Sequence, residues 1–139
     1  MTEIHTGSCN CGAVRFRTTS ALRDVIYCHC SQCRKQTGHF YAATNIADSE
    51  LELEGGEAIT WYQSSDFAKR GFCRVCGSAL FWKPRDAAYT SVMAGLFDEP
   101  TGLTAACHIF VADKGDFYDI ADGLPQFDKS TPPVSVAGD

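Results

Sequence analysis

Short stretches of alternating apolar and polar residues recur along the chain, set apart by glycine- and aspartate-rich turns. In residues 7–17 the alternation starts at Val14, with Val14 and Phe16 on one face and Arg15 and Arg17 on the other. This predicts a half-buried strand. Residues 24–30 are rich in β-formers and read as a second strand, placing Cys28 and Cys30 on one face and His29 on the other. Ser31 then caps a short helical turn from Gln32, and Gly38 ends it. Residues 39–45, 50–54, 59–62, 79–82, 88–94 and 105–112 are further strand candidates, with Gly55-Gly56 and residues 64–66 as breaks between them. In 50–54, Leu51 and Leu53 alternate with acids, so one face is wet. No internal repeat and no convincing long helix interrupt the series. The prediction is a mostly β domain over residues 1–128, followed by a loosely ordered tail over 129–139 that contains Pro132 and Pro133.

Composition changes this picture little. At 139 residues, 45% hydrophobic and 21% charged, the chain reads as one ordinary globular domain. A net charge of −5 argues against a nucleic-acid surface, which normally carries basic excess. The amino terminus lacks the basic and apolar regions of a signal peptide, and no apolar run approaches the ~18 residues of a membrane span. A cytoplasmic protein with no membrane partner is the expectation. There, closely spaced thiols serve metals or catalysis rather than disulfides.

The eight cysteines change it a great deal. Cys28, Cys30 and Cys33 fall within six residues, and the pairs Cys9-x-Cys11 and Cys73-x-x-Cys76 lie far to either side. Zinc is held by converging thiolates: structural sites close with four protein ligands, while catalytic sites keep one position open. Cys73-x-x-Cys76-Gly77 has the shape of a zinc knuckle. Gly12, after Cys11, can take a positive φ that turns backbone N–H groups toward a sulfur. Three groupings are open. The two pairs could join each other, or either pair could share ligands with the central three. Joining the pairs has a physical attraction, because one ion then closes a long loop. His29, His39, Cys107 or His108 could complete the central group. Strand geometry disfavours His29, and Cys107 in an apolar strand reads as core. Arg34 and Lys35 could offset thiolate charge or simply be solvated. Phe40, Tyr41, Trp61 and Trp82 are either pocket wall or aromatic core.

Gly7-x-Cys9-x-Cys11-Gly12-x-Val14-x-Phe16, Cys28-His29-Cys30-x-x-Cys33-Arg34-Lys35-x-Thr37-Gly38 and Phe72-Cys73-x-x-Cys76-Gly77-Ser78-x-Leu80 together resemble the glutathione-dependent formaldehyde-activating family, which includes centromere protein V. His108-Ile109 and Asp122-x-Leu124-Pro125-x-Phe127 look like it too, so the likeness runs from Gly7 to Phe127. The resemblance implies a zinc-stabilised β-tent fold of several short antiparallel sheets. It implies a structural zinc on Cys9, Cys11, Cys73 and Cys76, and a catalytic zinc on Cys28, Cys30 and Cys33, two ions per chain with the second more labile. It also implies carbon–sulfur lyase chemistry, in which a zinc-bound thiolate of a glutathione-like thiol attacks a small carbonyl such as formaldehyde. The other readings are a non-catalytic zinc module that binds glutathione or a protein partner, and a redox or metal-buffering protein.

Overall fold

In the computed structural model, residues 3–130 are described; the predicted tail therefore lies outside the described residues from 131 onward. The fold is mostly β, in two sheets, as the β-tent resemblance implies.

The smaller sheet has the order β1 (His5–Ser8), β2 (Arg15–Thr18), β5 (Leu51–Glu54), all antiparallel. In β2 the predicted alternation holds: Phe16 and Thr18 are buried, Arg15 and Arg17 exposed. Arg17 is paired with Glu52 across the sheet at 2.6 Å. Leu53 stays 44% exposed because β5 is an edge with no strand beyond it.

The larger sheet has seven strands in the order β10 (Ala105–Ile109), β3 (Val25–Cys28), β4 (Tyr41–Ala47), β9 (Tyr89–Met93), β8 (Ala79–Pro84), β7 (Ala68–Cys73), β6 (Ile59–Gln63). One pair departs from the antiparallel expectation, since β10 runs parallel to β3. Parallel pairing needs a long crossover, and here most of the domain intervenes between the two strands. The segment at Pro125 and Phe127 hydrogen-bonds with His108 along the outside of β10, leaving β6 as the open edge. None of the helices among the described residues is long and apolar enough to cross a membrane.

Register sorts the large sheet into two faces. Thr44, Val92, Phe81, Gly71 and Trp61 are successive cross-strand partners on one. With Ile46 and Leu80 this face meets Val14, Phe16 and Phe97 in the main core. Phe16 packs edge-on against Phe97 with ring centroids 5.0 Å apart. The opposite face carries Cys28, Tyr41, Ala43, Met93, Ser91, Trp82 and Arg70, and α1 (Ser31–Thr37) sits at its end.

Between β5 and β6, Gly55 takes φ 79° and brings the chain against the 9–14 loop. A Cβ there would stand 1.8 Å from the Ala13 carbonyl oxygen. A left-handed conformation costs a non-glycine residue about 1–2 kcal/mol and overpacking about 1–3 more. Gly55→Ala is therefore expected to destabilise the domain by at least about 2 kcal/mol. Urea denaturation reads this directly, and an unchanged midpoint would contradict it.

Candidate metal centres

Cys9 follows β1 in a tight loop closed by its own N–H bonded to Val14 O at 3.0 Å and by Gly12 N–H bonded to Cys9 O at 3.1 Å. Cys73 ends β7, and Cys76 lies in the turn to β8, closed by Gly77 N–H bonded to Cys73 O at 2.8 Å. The two turns meet where the sheets converge, and all four sulfurs lie within 4.8 Å of one another. Cys9–Cys11 and Cys11–Cys73 measure 3.6 and 3.8 Å. A tetrahedral zinc with Zn–S of about 2.3 Å would set its sulfurs about 3.8 Å apart, so the donor set fits that ion. Cys9 and Cys73 are buried in the core, whereas Cys11 is exposed. The Val14 N–H reaches the Cys9 sulfur at 3.3 Å and the Cys76 N–H reaches the Cys73 sulfur at 3.5 Å. Gly12 takes the expected positive φ, 81°, and the loop it shapes turns the Val14 N–H onto the Cys9 sulfur, while its own N–H closes the loop. The Ser78 hydroxyl, and then its backbone, hold the Cys76 thiol down at about 5.

Cys28, Cys30 and Cys33 form a second group, with sulfurs again within 4.8 Å. Here the local geometry differs from the sequence expectation. The strand stops at Cys28, and Cys30 rather than Ser31 is the helix cap, accepting the Cys33 N–H on its sulfur at 3.3 Å. A thiol can accept from the third helical residue as a serine oxygen does, so the helix starts one residue earlier. Gly38 ends it in the left-handed conformation, as expected. Cys28 and Cys30 are thus brought together by a turn, not by sharing a strand face.

Hydrogen bonds from Cys28, then Cys33, hold the Cys30 thiol far below its ordinary value, and the Cys28 thiol, tied first to Cys30, is pushed up. The group sheds one proton readily and the next with difficulty, so three thiolates together call for a cation. Among the described residues no histidine or carboxylate joins these three sulfurs within the same distance. Cys107 is buried in β10 outside both groups, the core position its apolar strand suggested. All eight cysteines are free.

Sequence reasoning looked to Arg34 and Lys35 for compensating charge. Arg70, from β7, takes that place: it is 6% exposed and donates from Nη2 to Cys33 Sγ at 3.5 Å and from Nη1 to Gln36 Oε1 at 3.0 Å. Its guanidinium stands 5.4 Å over the Tyr41 ring. Burial pushes the Tyr41 phenol up. Tyr41 and Trp82 line this centre, whereas Trp61 packs over Phe81 on the other face. Lys35 instead lines a groove of about 390 Å³ with Gln32, Gln36, Tyr62, Arg70 and Phe72. No spacing in the sequence singles out Arg70; only strand register carries it under α1.

Behind the Cys28–Cys30 turn runs a polar chain, buried at its two histidines. The Tyr118 hydroxyl donates to His29 Nδ1, His29 Nε2 donates to His108 Nδ1 at 2.8 Å, and His108 Nε2 donates to Asp122 Oδ2 at 2.8 Å. One proton per imidazole satisfies every link. Burial, then His108, hold His29 down at about 4. His29 and His108 are therefore partners in a brace, not ligands. His39 packs its ring against Phe40 and Tyr118.

Comparison with known proteins identifies the family. Residues 4–113 match the family model of the glutathione-dependent formaldehyde-activating enzyme. An uncharacterized lyase of Schizosaccharomyces pombe is 29% identical, over 87% of this chain and 88% of that protein. A Halomonas elongata protein named for glutathione-dependent formaldehyde activation is 33% identical, over 82% of this chain and 79% of its own length. A crystal structure of a Rhodobacter sphaeroides protein superposes with a TM-score of 0.56 at 25% identity, covering 88% of this chain and 98% of that one.

Proposed function

Because the chain belongs to the glutathione-dependent formaldehyde-activating enzyme family, we propose that it is a carbon–sulfur lyase-type enzyme. In this reading it joins a glutathione-like thiol to a small carbonyl such as formaldehyde, and splits the adduct in reverse. The observation that carries it is the three-sulfur centre with no fourth protein ligand among the described residues, joined through Arg70 to the wall of a groove. Cys9, Cys11, Cys73 and Cys76 would hold a structural zinc, and Cys28, Cys30 and Cys33 the catalytic one. Bound zinc supplies the charge that keeps an incoming thiol ionised near neutral pH.

The chain's own groups do the rest. Arg70 offsets the negative charge of the cysteines and fixes Cys33. Lys35, Gln32 and Gln36 offer a cation and two amides to the carboxylates and peptide groups of a thiol lying in the groove. The Tyr118–His29–His108–Asp122 chain holds the Cys28–Cys30 turn rigid, as the partners behind metal ligands do. Free thiols throughout suit a reducing compartment such as the cytoplasm.

Native mass spectrometry of zinc-supplemented protein, with and without reduced glutathione, tests the reading. Two zincs per chain are expected, with a glutathione adduct that disappears in Cys30→Ser. A single zinc, or two zincs with no adduct, would overturn it.

A further inference from the structure

Two buried donors beside the three-cysteine centre have no acceptor. The Tyr41 hydroxyl is shut off from solvent without a hydrogen-bond partner, in a residue only 4% exposed. The Arg70 Nε is likewise buried and unpartnered, although both terminal nitrogens of the same guanidinium are engaged. A buried donor left unmade costs about 1–3 kcal/mol, and native structures seldom keep one without a reason. Among the described residues three side-chain donors are left so, Arg34 Nε on α1 and these two on the sheet face below it, and the Arg70 guanidinium stands over the Tyr41 ring. Tyr41 is the cross-strand partner of Cys28 and packs with Cys33 and Ala43, against which Cys28, Cys30, Trp82 and Met93 close.

The chemistry of the missing partner follows from its neighbours. Both orphans are donors and one carries a positive charge, so the partner is an acceptor that is or becomes anionic. Both are sealed from bulk water, so the acceptor arrives with whatever binds at the three sulfurs. The groove already serves the body of a peptide-like thiol, which leaves a small oxygen for this position.

We infer that Tyr41 and Arg70 receive the carbonyl oxygen of the second substrate, with Tyr41 as a catalytic hydrogen-bond donor. The inference rests on the reaction proposed above. As the sulfur lone pair forms the C–S bond, the C=O π pair moves onto oxygen. The Tyr41 O–H and Arg70 Nε–H donate to that alkoxide without giving up their protons. Once the adduct leaves this position, its alkoxide takes from water the proton that the thiol lost on ionising. Donors preset toward developing charge in a water-excluded site are the arrangement that accelerates carbonyl additions.

The test compares two sulfur ligands on the zinc-loaded protein by isothermal titration calorimetry. Thioacetate carries an oxygen on the carbon bonded to sulfur, as the adduct does; ethanethiol has the same size without it. Tyr41→Phe is expected to weaken thioacetate by roughly ten- to a hundred-fold, the range for a hydrogen bond to a charged group. Ethanethiol affinity and zinc content should change less than about two-fold. Equal effects on both ligands, or none on either, overturn the inference while leaving the thiol reading intact. Loss of zinc from Tyr41→Phe would show that the hydroxyl serves a cysteine sulfur, which also overturns it. If wild-type protein binds neither ligand, the proposed function itself falls, and this inference with it.

Discussion

Cys73→Ser is expected to leave the domain unfolded, and a strong chelator should do the same to the unaltered chain. Cys73 is fully buried at the end of β7, and its sulfur stands 3.8 Å from that of Cys11, 62 residues earlier. The centre joins the loop after β1 to the β7–β8 turn and lies within the main core, where Cys9 and Cys73 pack with Val14, Phe16 and Phe81. Structural zinc contributes roughly 10–16 kcal/mol of apparent binding energy, against a total domain stability of about 5–15 kcal/mol. Its loss is therefore comparable with everything that keeps the chain folded. Circular dichroism on heating, with and without chelator, should show the cooperative transition disappear. A Cys73→Ser protein that keeps two zincs and melts within a few degrees of wild type would contradict this.

Cys30→Ser should have the opposite profile: an intact fold and almost no turnover. A serine oxygen can still accept the Cys33 N–H that Cys30 sulfur accepts now, so α1 keeps its cap. The second sulfur cluster is small and lies outside the main core, so little apolar packing depends on it. What disappears is one of three thiolates. Even residues behind a metal ligand cost about 10–100-fold in affinity or activity when replaced. Loss of the ligand itself should lower the rate of thiol–formaldehyde condensation by more than about a hundred-fold. Zinc content should fall from two to one per chain while the melting temperature moves by only a few degrees. An unchanged rate would remove the three-cysteine centre from the chemistry. The contrast between Cys73→Ser and Cys30→Ser separates an ion that holds the fold from one that the fold holds.

Much of the grouping of thiols is legible in the sequence, because the features that carry it are local. Thiols two or three residues apart can meet on one ion whatever the rest of the chain does. The strand in which Phe16 and Thr18 turn inward and Arg15 and Arg17 turn outward could be read from alternation alone. The helix cap lies one residue before the position that alternation and side-chain type suggest, because the Cys30 sulfur accepts the capping bond although Ser31 offers the usual oxygen next to it. The parallel placement of β10 on β3 was also out of reach, since no turn chemistry records a pairing across most of the domain.

Local sequence carries the three groups of thiols, the mostly β pattern, and the turns that bring Cys9 near Cys11, Cys28 near Cys33, and Cys73 near Cys76. Those depend on backbone geometry over a few residues. Which pair meets which is settled by the packing of the sheets, because joining Cys11 to Cys73 requires two of them to converge. It alone brought Arg70 against Cys33, Tyr41 beside Cys28, and His29 onto His108 and Asp122. In each case the partners lie on separate elements and meet through strand register and crossovers, which record contacts between distant segments that no local spacing can encode.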